Sequence, residues 1–340
     1  MFSPFITQAS TVQAIMFKVL LALVPGIALY TWFYGPAILV SISLASLTAL
    51  ATEAAMLKLR GRPLAPFLSD NSALLTAWLL ALSIPPLAPW WLVVVGTMFA
   101  ISIAKHLYGG LGNNPFNPAM VGYAVLIISF PVSMTHWISP LGLGQVELTF
   151  MEQLGYIFGG HFPTSVTLDA VSMATPLDAL KTQLHAGHPL AEVMHMPIYS
   201  ELGGHGSEMV ALAYIAGGIY LLANRIISWH LPVTFLATLF ATAGIFYLLD
   251  PAHYAPPLFH WFSGAAMLGA FFILTDPVTS PTTIRGKLIF AAGAGFLTYM
   301  IRVFGGFPDG IAFATLLMNI CVPLIDIYTQ PKVFGKKGGK

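Results

Sequence analysis

Ten apolar runs, each close to or above the roughly 17–25 residues that cross a lipid bilayer, occupy most of this chain. They lie near 13–33, 37–57, 71–87, 89–105, 118–137, 209–228, 232–249, 258–276, 286–304 and 308–328. In lipid each segment has to satisfy its own backbone N–H and C=O groups, which restricts such runs to helices. The expected fold class is therefore an all-α polytopic membrane protein with about ten transmembrane helices. Composition agrees: only 8% of the 340 residues are charged against about a quarter in soluble domains, and mean hydropathy is +0.80. The first run, from Ala14 to Phe33, is too long for a signal-peptide core and lacks a small-residue cleavage site, so it reads as a span. The third and fourth are parted only by the turn Pro85-Pro86-Leu87-Ala88-Pro89.

A net charge of +1 supplies neither a basic surface for nucleic acid nor an acidic tail. Cys321 is the single cysteine, so an internal disulfide, a four-cysteine zinc site and an iron–sulfur cluster are excluded. Metal-centred electron chemistry near this chain has to come from other subunits.

The side on which Lys and Arg flank the spans sets orientation. With a cytoplasmic N-terminus, twelve of the 14 basic residues fall inside: Lys18, Lys58, Arg60, Arg62, Lys105, Arg225, Arg285, Lys287, Lys332, Lys336, Lys337 and Lys340. Only Lys181 and Arg302 remain outside. Both termini are expected in the cytoplasm, the long loop 138–208 in the periplasm of a bacterial inner membrane, and 331–340 as a disordered cytoplasmic tail. Trp90, Trp91, Trp137 and Trp229 sit at span ends, as interfacial anchors do.

A repeat runs through the chain. Ser72-Ala73-Leu74-Leu75-Thr76-Ala77-Trp78 resembles Ala265-Ala266-Met267-Leu268-Gly269-Ala270-Phe271, 193 positions on, and Tyr108-Gly109-Gly110-Leu111-Gly112 echoes Phe304-Gly305-Gly306-Phe307-Pro308 at an offset of 196. The pattern predicts two five-span repeats, residues 1–137 and 209–330. An odd number of spans places the second upside down, the inverted plan of many transporters. The Gly- and Pro-rich stretches 109–118 and 276–281 are expected to be broken or re-entrant, tolerated where they pack on protein or line a cavity.

The loop holds the chemistry. Thr175-Pro176-Leu177-Asp178 has the form of a helix start, with Thr as N-cap, Pro at the first helical position and an acid that can close a capping box. That geometry serves a helix without further purpose. It also suits a phosphate esterified to the Thr175 hydroxyl, which would lie on the free N–H groups and positive dipole of the first turn. Asp178 opposes such an anion unless Lys181 offsets its charge.

Asp169-Ala170-Val171-Ser172-Met173-Ala174-Thr175 resembles the flavinylation motif Asp-x-x-Ser/Thr-x-Ala-Thr, at which a flavin transferase moves FMN from FAD onto the Thr as a phosphoester. The resemblance widens with Ser69 to Thr76, Asn113-Asn114-Pro115-Phe116-Asn117-Pro118-Ala119-Met120, Phe272 to Thr279, Phe304 to Gly310, and the motif's place between the fifth and sixth spans. Over residues 10 to 335 the chain is similar to the D subunits of the Rnf (Rsx) ion-translocating electron-transport complexes, which are related to the B subunit of the Na+-translocating NADH:quinone oxidoreductase. Met173 departs from the Gly of many members but leaves Ala174 and Thr175 intact. The resemblance implies FMN held covalently on Thr175, with Asp169, Ser172 and Ala174 completing the attachment motif. It further implies a non-covalent riboflavin among the spans, and electron transfer between ferredoxin and NAD coupled to H+ or Na+ movement, by a subunit not catalytic alone. Implied partners are a subunit with a second outer-side flavin, iron–sulfur subunits and the maturing flavin transferase.

Asp276 closes an apolar run beside Pro277 and Thr279. An ionisable group at membrane depth often marks an ion or proton path; the plainer expectation is a headgroup-level acid paired with Arg285 or Lys287. His185, His188 and His195 read as solvated loop histidines, without a convincing set of metal ligands. Lys105 and His106 read as anchors at the inner surface, with a contact to a flavin phosphate or other cofactor as the alternative. The rival function is a secondary permease or channel for a small polar solute, which shares the repeat plan and leaves Thr175 a mere cap.

Overall fold

The computed structural model describes residues 11–162 and 166–331. Most of the tail 331–340, with Lys332, Lys336, Lys337 and Lys340, lies outside them.

Helices dominate the described residues, and the chain is a multi-pass membrane protein. Five helices are long and apolar enough to span: α1 (Val12–Tyr34), α2 (Ala37–Leu59), and three others, 230–249, 284–304 and 311–329. Of the other five expected spans, 89–105 gives a helix of its full length, and the remaining four give helices that are shorter than their apolar runs or broken. Residues 71–87 give α3 (Ser72–Ala81), ten residues long. The helix stops ahead of Pro85 and Pro86, whose rings and missing N–H groups disfavour its continuation. Next come α4 (Trp90–His106), whose last two turns widen into a π-helix from Phe99, and α5 (Pro118–Ser129), capped by Asn117 and ended before Pro131.

The loop holds a two-residue strand β1 (Trp137–Ile138), helix α6 (Phe150–Gly159), strand β2 (Ser172–Met173) antiparallel to β1, and helix α7 (Pro176–His185). Beyond it run α8 (Ser207–Ala223) and α9 (His230–Leu249). Residues 258–276, expected as one span, form two pieces: α10 (Pro257–Phe262), then α11, which starts at Ala266 and passes into a π-helical turn, Gly269–Ile273. Gly264 makes the break. Its φ is +66°, and a Cβ there would collide with Asp309 Oδ2 and the Leu177 side chain, so only glycine fits without strain. α12 (Ile284–Phe304) and α13 (Ile311–Thr329) complete the chain.

The helix starts keep one register. Val12, Ala37, Ser72, Trp90 and Pro118 are followed 193 to 195 positions later by Ser207, His230, Ala266, Ile284 and Ile311. Short elements match short ones: α3 corresponds to the broken α10–α11. α1 packs on its counterpart α8, and α5 on its counterpart α13. One apolar core runs through both sets, centred on small residues such as Ala45, Ala77, Ala270 and Ala294 that let helices approach closely.

Candidate functional site

The broken elements leave two clefts at opposite ends of α1. Ile15, Met16 and Val19 line one; Tyr30 and Tyr34 line the other, about 20 Å further along a helix rising 1.5 Å per residue.

The cleft on the loop side encloses about 1270 Å³, its open mouth included, and Thr175 is on its wall. Thr175 adopts extended geometry (φ −64°, ψ 156°) and its Oγ accepts from the Asp178 N–H at 3.3 Å, which makes it the N-cap of α7. The helix start read from the sequence is thus present, with Pro176 in the first turn. Asp178 does not close a capping box; that device occurs at Thr149 and Glu152, which start α6. Hydrogen bonds from the Thr149 hydroxyl and N–H hold the Glu152 carboxyl below its usual range. Lys181 forms no ion pair with Asp178 among the described residues. Its ammonium donates to the Gly305 and Phe307 carbonyls, and burial lowers its pKa although Asp178 acts the other way.

Facing Thr175 is an aromatic wall. Tyr30 and Tyr34 stack with centroids 4.7 Å apart; Tyr123, Trp137 and Tyr214 add further rings. The Tyr34 hydroxyl donates to the His205 carbonyl at 3.2 Å, tying α1 to the loop. Such a cleft suits a planar aromatic ligand: stacking surfaces on one side, a hydroxyl and the positive end of the α7 dipole on the other. Of the other motif residues, Ser172 and Met173 form β2 opposite Ile138 and Trp137, Ala174 lines the cleft, and Asp169 lies in the short helical turn before β2. The structure thus brings Ala174 and Thr175 to the cleft and leaves Asp169 at the surface.

Asp276 lines the opposite cleft with Ser72, Lys105, Asn114 and Asn117. Its carboxylate accepts from the Val278 N–H (3.1 Å) and the Thr279 hydroxyl (3.0 Å), and among the described residues it forms no ion pair with Arg285 or Lys287. Beside it, Asn117 donates through Nδ2 to the Ile273 carbonyl (3.3 Å) and through its backbone N–H to Asn319 Oδ1 (3.1 Å). Asn319 in turn donates to the Thr279 carbonyl. These amides stitch the break before α5 to the one after α11.

Two charged clusters are not evident from the sequence alone. Lys105 is no surface anchor: with 2% exposure, its ammonium donates to both Glu53 oxygens at 2.9 Å and to Ser72 Oγ at 2.8 Å. Ser72 Oγ donates onward to Asp70 Oδ1 (2.6 Å). His106 Nε2 lies 3.0 Å from Glu53, while its Nδ1 faces Arg60 at 3.2 Å. The available signal was Glu53, an acid inside the apolar run 37–57. In the second cluster, Arg302 donates to both Asp309 oxygens and to the His260 and Ser263 carbonyls. Asp309 also accepts from the Ala265 N–H at 2.7 Å and lines the Thr175 cleft. Arg302, expected on the outer flank, is therefore buried inside the break between α10 and α11.

The model of the NQR2, RnfD, RnfE family matches residues 1–335. Two relatives, each called the D subunit of an ion-translocating oxidoreductase complex, come from Escherichia fergusonii and Shigella dysenteriae serotype 1. Both are 54% identical over 345 residues, covering 99% of this chain and 98% of theirs. One of the same name from Klebsiella pneumoniae is 54% identical over 343 residues, 98% of either chain.

Proposed function

Because this chain belongs to the NQR2, RnfD, RnfE family, we propose that it is the membrane flavoprotein subunit of an ion-translocating oxidoreductase complex, carrying FMN in phosphoester linkage on Thr175. The observation that carries this reading is Thr175 as the N-cap of α7 on the wall of an aromatic cleft. When bound, FMN supplies one- and two-electron transfer. The chain's own residues do the rest. Thr175 Oγ supplies the ester oxygen, the Leu177 N–H and the α7 dipole stabilise the phosphate, and Tyr30, Tyr34 and Tyr214 offer stacking faces that keep water from the ring. Asp169, Ser172 and Ala174 are the residues a flavin transferase reads.

The wider assignment follows the same family. Electrons pass between ferredoxin and NAD, which dock with iron–sulfur centres on other subunits, and the loop faces a partner bearing its own outer-side flavin. Movement of H+ or Na+ accompanies the transfer. The Lys and Arg bias favours both termini in the cytoplasm and the loop in the periplasm of the inner membrane, and the common register of helix starts supports two inverted five-helix halves. Riboflavin, held non-covalently, fits the opposite cleft, where buried Asn114 keeps an unpaired Oδ1 able to accept from a flavin ring N–H. Asp276 lines that cleft and is the candidate residue for ion or proton passage.

The test is a denaturing gel of protein made in cells that possess the transferase. Flavin fluorescence should remain with the band and vanish in Thr175→Ala, while Ser172→Ala should keep all or part of it. A dark wild-type band would favour a permease.

A further inference from the structure

We propose that FMN is transferred to Thr175 before residues 168–185 dock on the spans, so that the transferase works on an opened segment and docking then carries the flavin into the cleft. This rests on Thr175 being the attachment point. In the transfer itself, the Thr175 hydroxyl oxygen bonds to the flavin-side phosphorus of FAD while the pyrophosphate P–O bond breaks. AMP leaves, and the hydroxyl proton passes to a base of the transferase.

The docked segment does not permit this approach, because it is anchored on both sides of the Thr. Upstream, the Val171 side chain is 1% exposed and packs with Ala37, Leu87 and Ile157. The Val171 carbonyl accepts from both the N–H (3.1 Å) and the hydroxyl (3.2 Å) of Ser139. Met173 and Ser172 are paired with Trp137 and Ile138. Downstream, the Pro176 ring packs so closely on Gly204 that a Cβ there would overlap it. The Pro176 carbonyl accepts from the Tyr199 hydroxyl at 3.3 Å, and Leu177 is buried. Between the anchors only Ala174, which is exposed, and Thr175, which is half-buried, remain, and both line the open-mouthed cleft. A transferase that takes up the motif as an open strand cannot seat residues held in place by these contacts. Opening the β1–β2 pair and the Val171 contact frees the whole motif at once. Local opening of such a small unit costs far less than unfolding the spans.

The experiment uses full-length protein purified in detergent from cells lacking the transferase, then supplied with transferase and FAD. Trp137→Cys and Met173→Cys, combined with Cys321→Ser, place two thiols opposite each other across β1 and β2 and outside the fixed motif positions. With the disulfide closed, the rate of FMN attachment should fall at least about tenfold relative to the reduced form, since the opened state is forbidden. Ser139→Ala, which removes one hydroxyl hydrogen bond to Val171, should raise the rate by about two- to tenfold. A peptide spanning Leu168 to His185 is the undocked reference and should be modified fastest. Equal rates for the oxidised and reduced pairs, or an unchanged rate for Ser139→Ala, would overturn the proposed order. A peptide and wild-type chain that both take up no FMN would overturn the attachment reading itself, and the order with it.

Discussion

On the proposed reading Thr175 does two jobs, cap and ester oxygen, whose costs differ when it is changed. As an N-cap it contributes about 1 kcal/mol through the bond from Asp178, so Thr175→Ala should fold, with a small loss of thermal stability in detergent. As the ester oxygen it is irreplaceable except by another hydroxyl. Thr175→Ser should therefore keep measurable flavin and Thr175→Ala none; equal flavin in both would show that the side chain is not the attachment point. Glu152 offers a separate residue-scale test through pH. Its folded-state pKa is lowered from 4.5 by Thr149, so the capping box stabilises α6 above that value and weakens as pH falls through the lower folded one. Protection factors for hydrogen exchange at the Gln153 and Leu154 amides should fall over that acidic interval, and should lose this dependence in Glu152→Gln.

Elements that looked like ordinary spans are the ones that build the site. The runs 71–87 and 258–276 are apolar enough to cross, yet Pro85, Pro86 and Gly264 break them, and the breaks open the clefts. The sequence reveals that breaks exist; it does not reveal what fills them. Glu53 and Lys105 are far apart in the chain, and Arg302 meets groups some 40 positions upstream. Each cluster joins elements at such a break, Glu53–Lys105 holding α2 and α4 around the start of α3. Removing one partner of a buried pair leaves an uncompensated charge and costs about 3–5 kcal/mol. Glu53→Gln or Lys105→Met should therefore lower the melting temperature sharply, and the double change should recover much of the loss. No recovery in the double would mean that the pair is not the unit holding these helices. Gly264→Ala forces a side chain into left-handed backbone and against Asp309; a cost of about 1–3 kcal/mol and a displaced α11 should follow. With flavin bound, that displacement should also alter its fluorescence lifetime, whereas an unperturbed melt and lifetime would contradict the fit at this break.

Across the whole molecule, fold class was the most legible feature, since hydropathy and length are local properties. The repeat was legible as two faint matches, and the helix starts extend it to all five elements. Thr175 and its cap could be read from four consecutive residues. The tyrosine wall could not, because Tyr30, Tyr123 and Tyr214 converge only through packing of α1, α5 and α8. Orientation is a property of the whole chain and can be tested as one. A periplasm-dependent reporter inserted in the loop near Gly187 should be active, and the same reporter at the C-terminus silent; the opposite pattern would put the loop on the wrong side for the proposed function. The most direct measurement is the mass of the proteolytic peptide containing Asp169 to Lys181, taken from the native complex. An added FMN phosphoryl group, localised to Thr175 by fragmentation, is the predicted result. An unmodified Thr175 in active complex would contradict it.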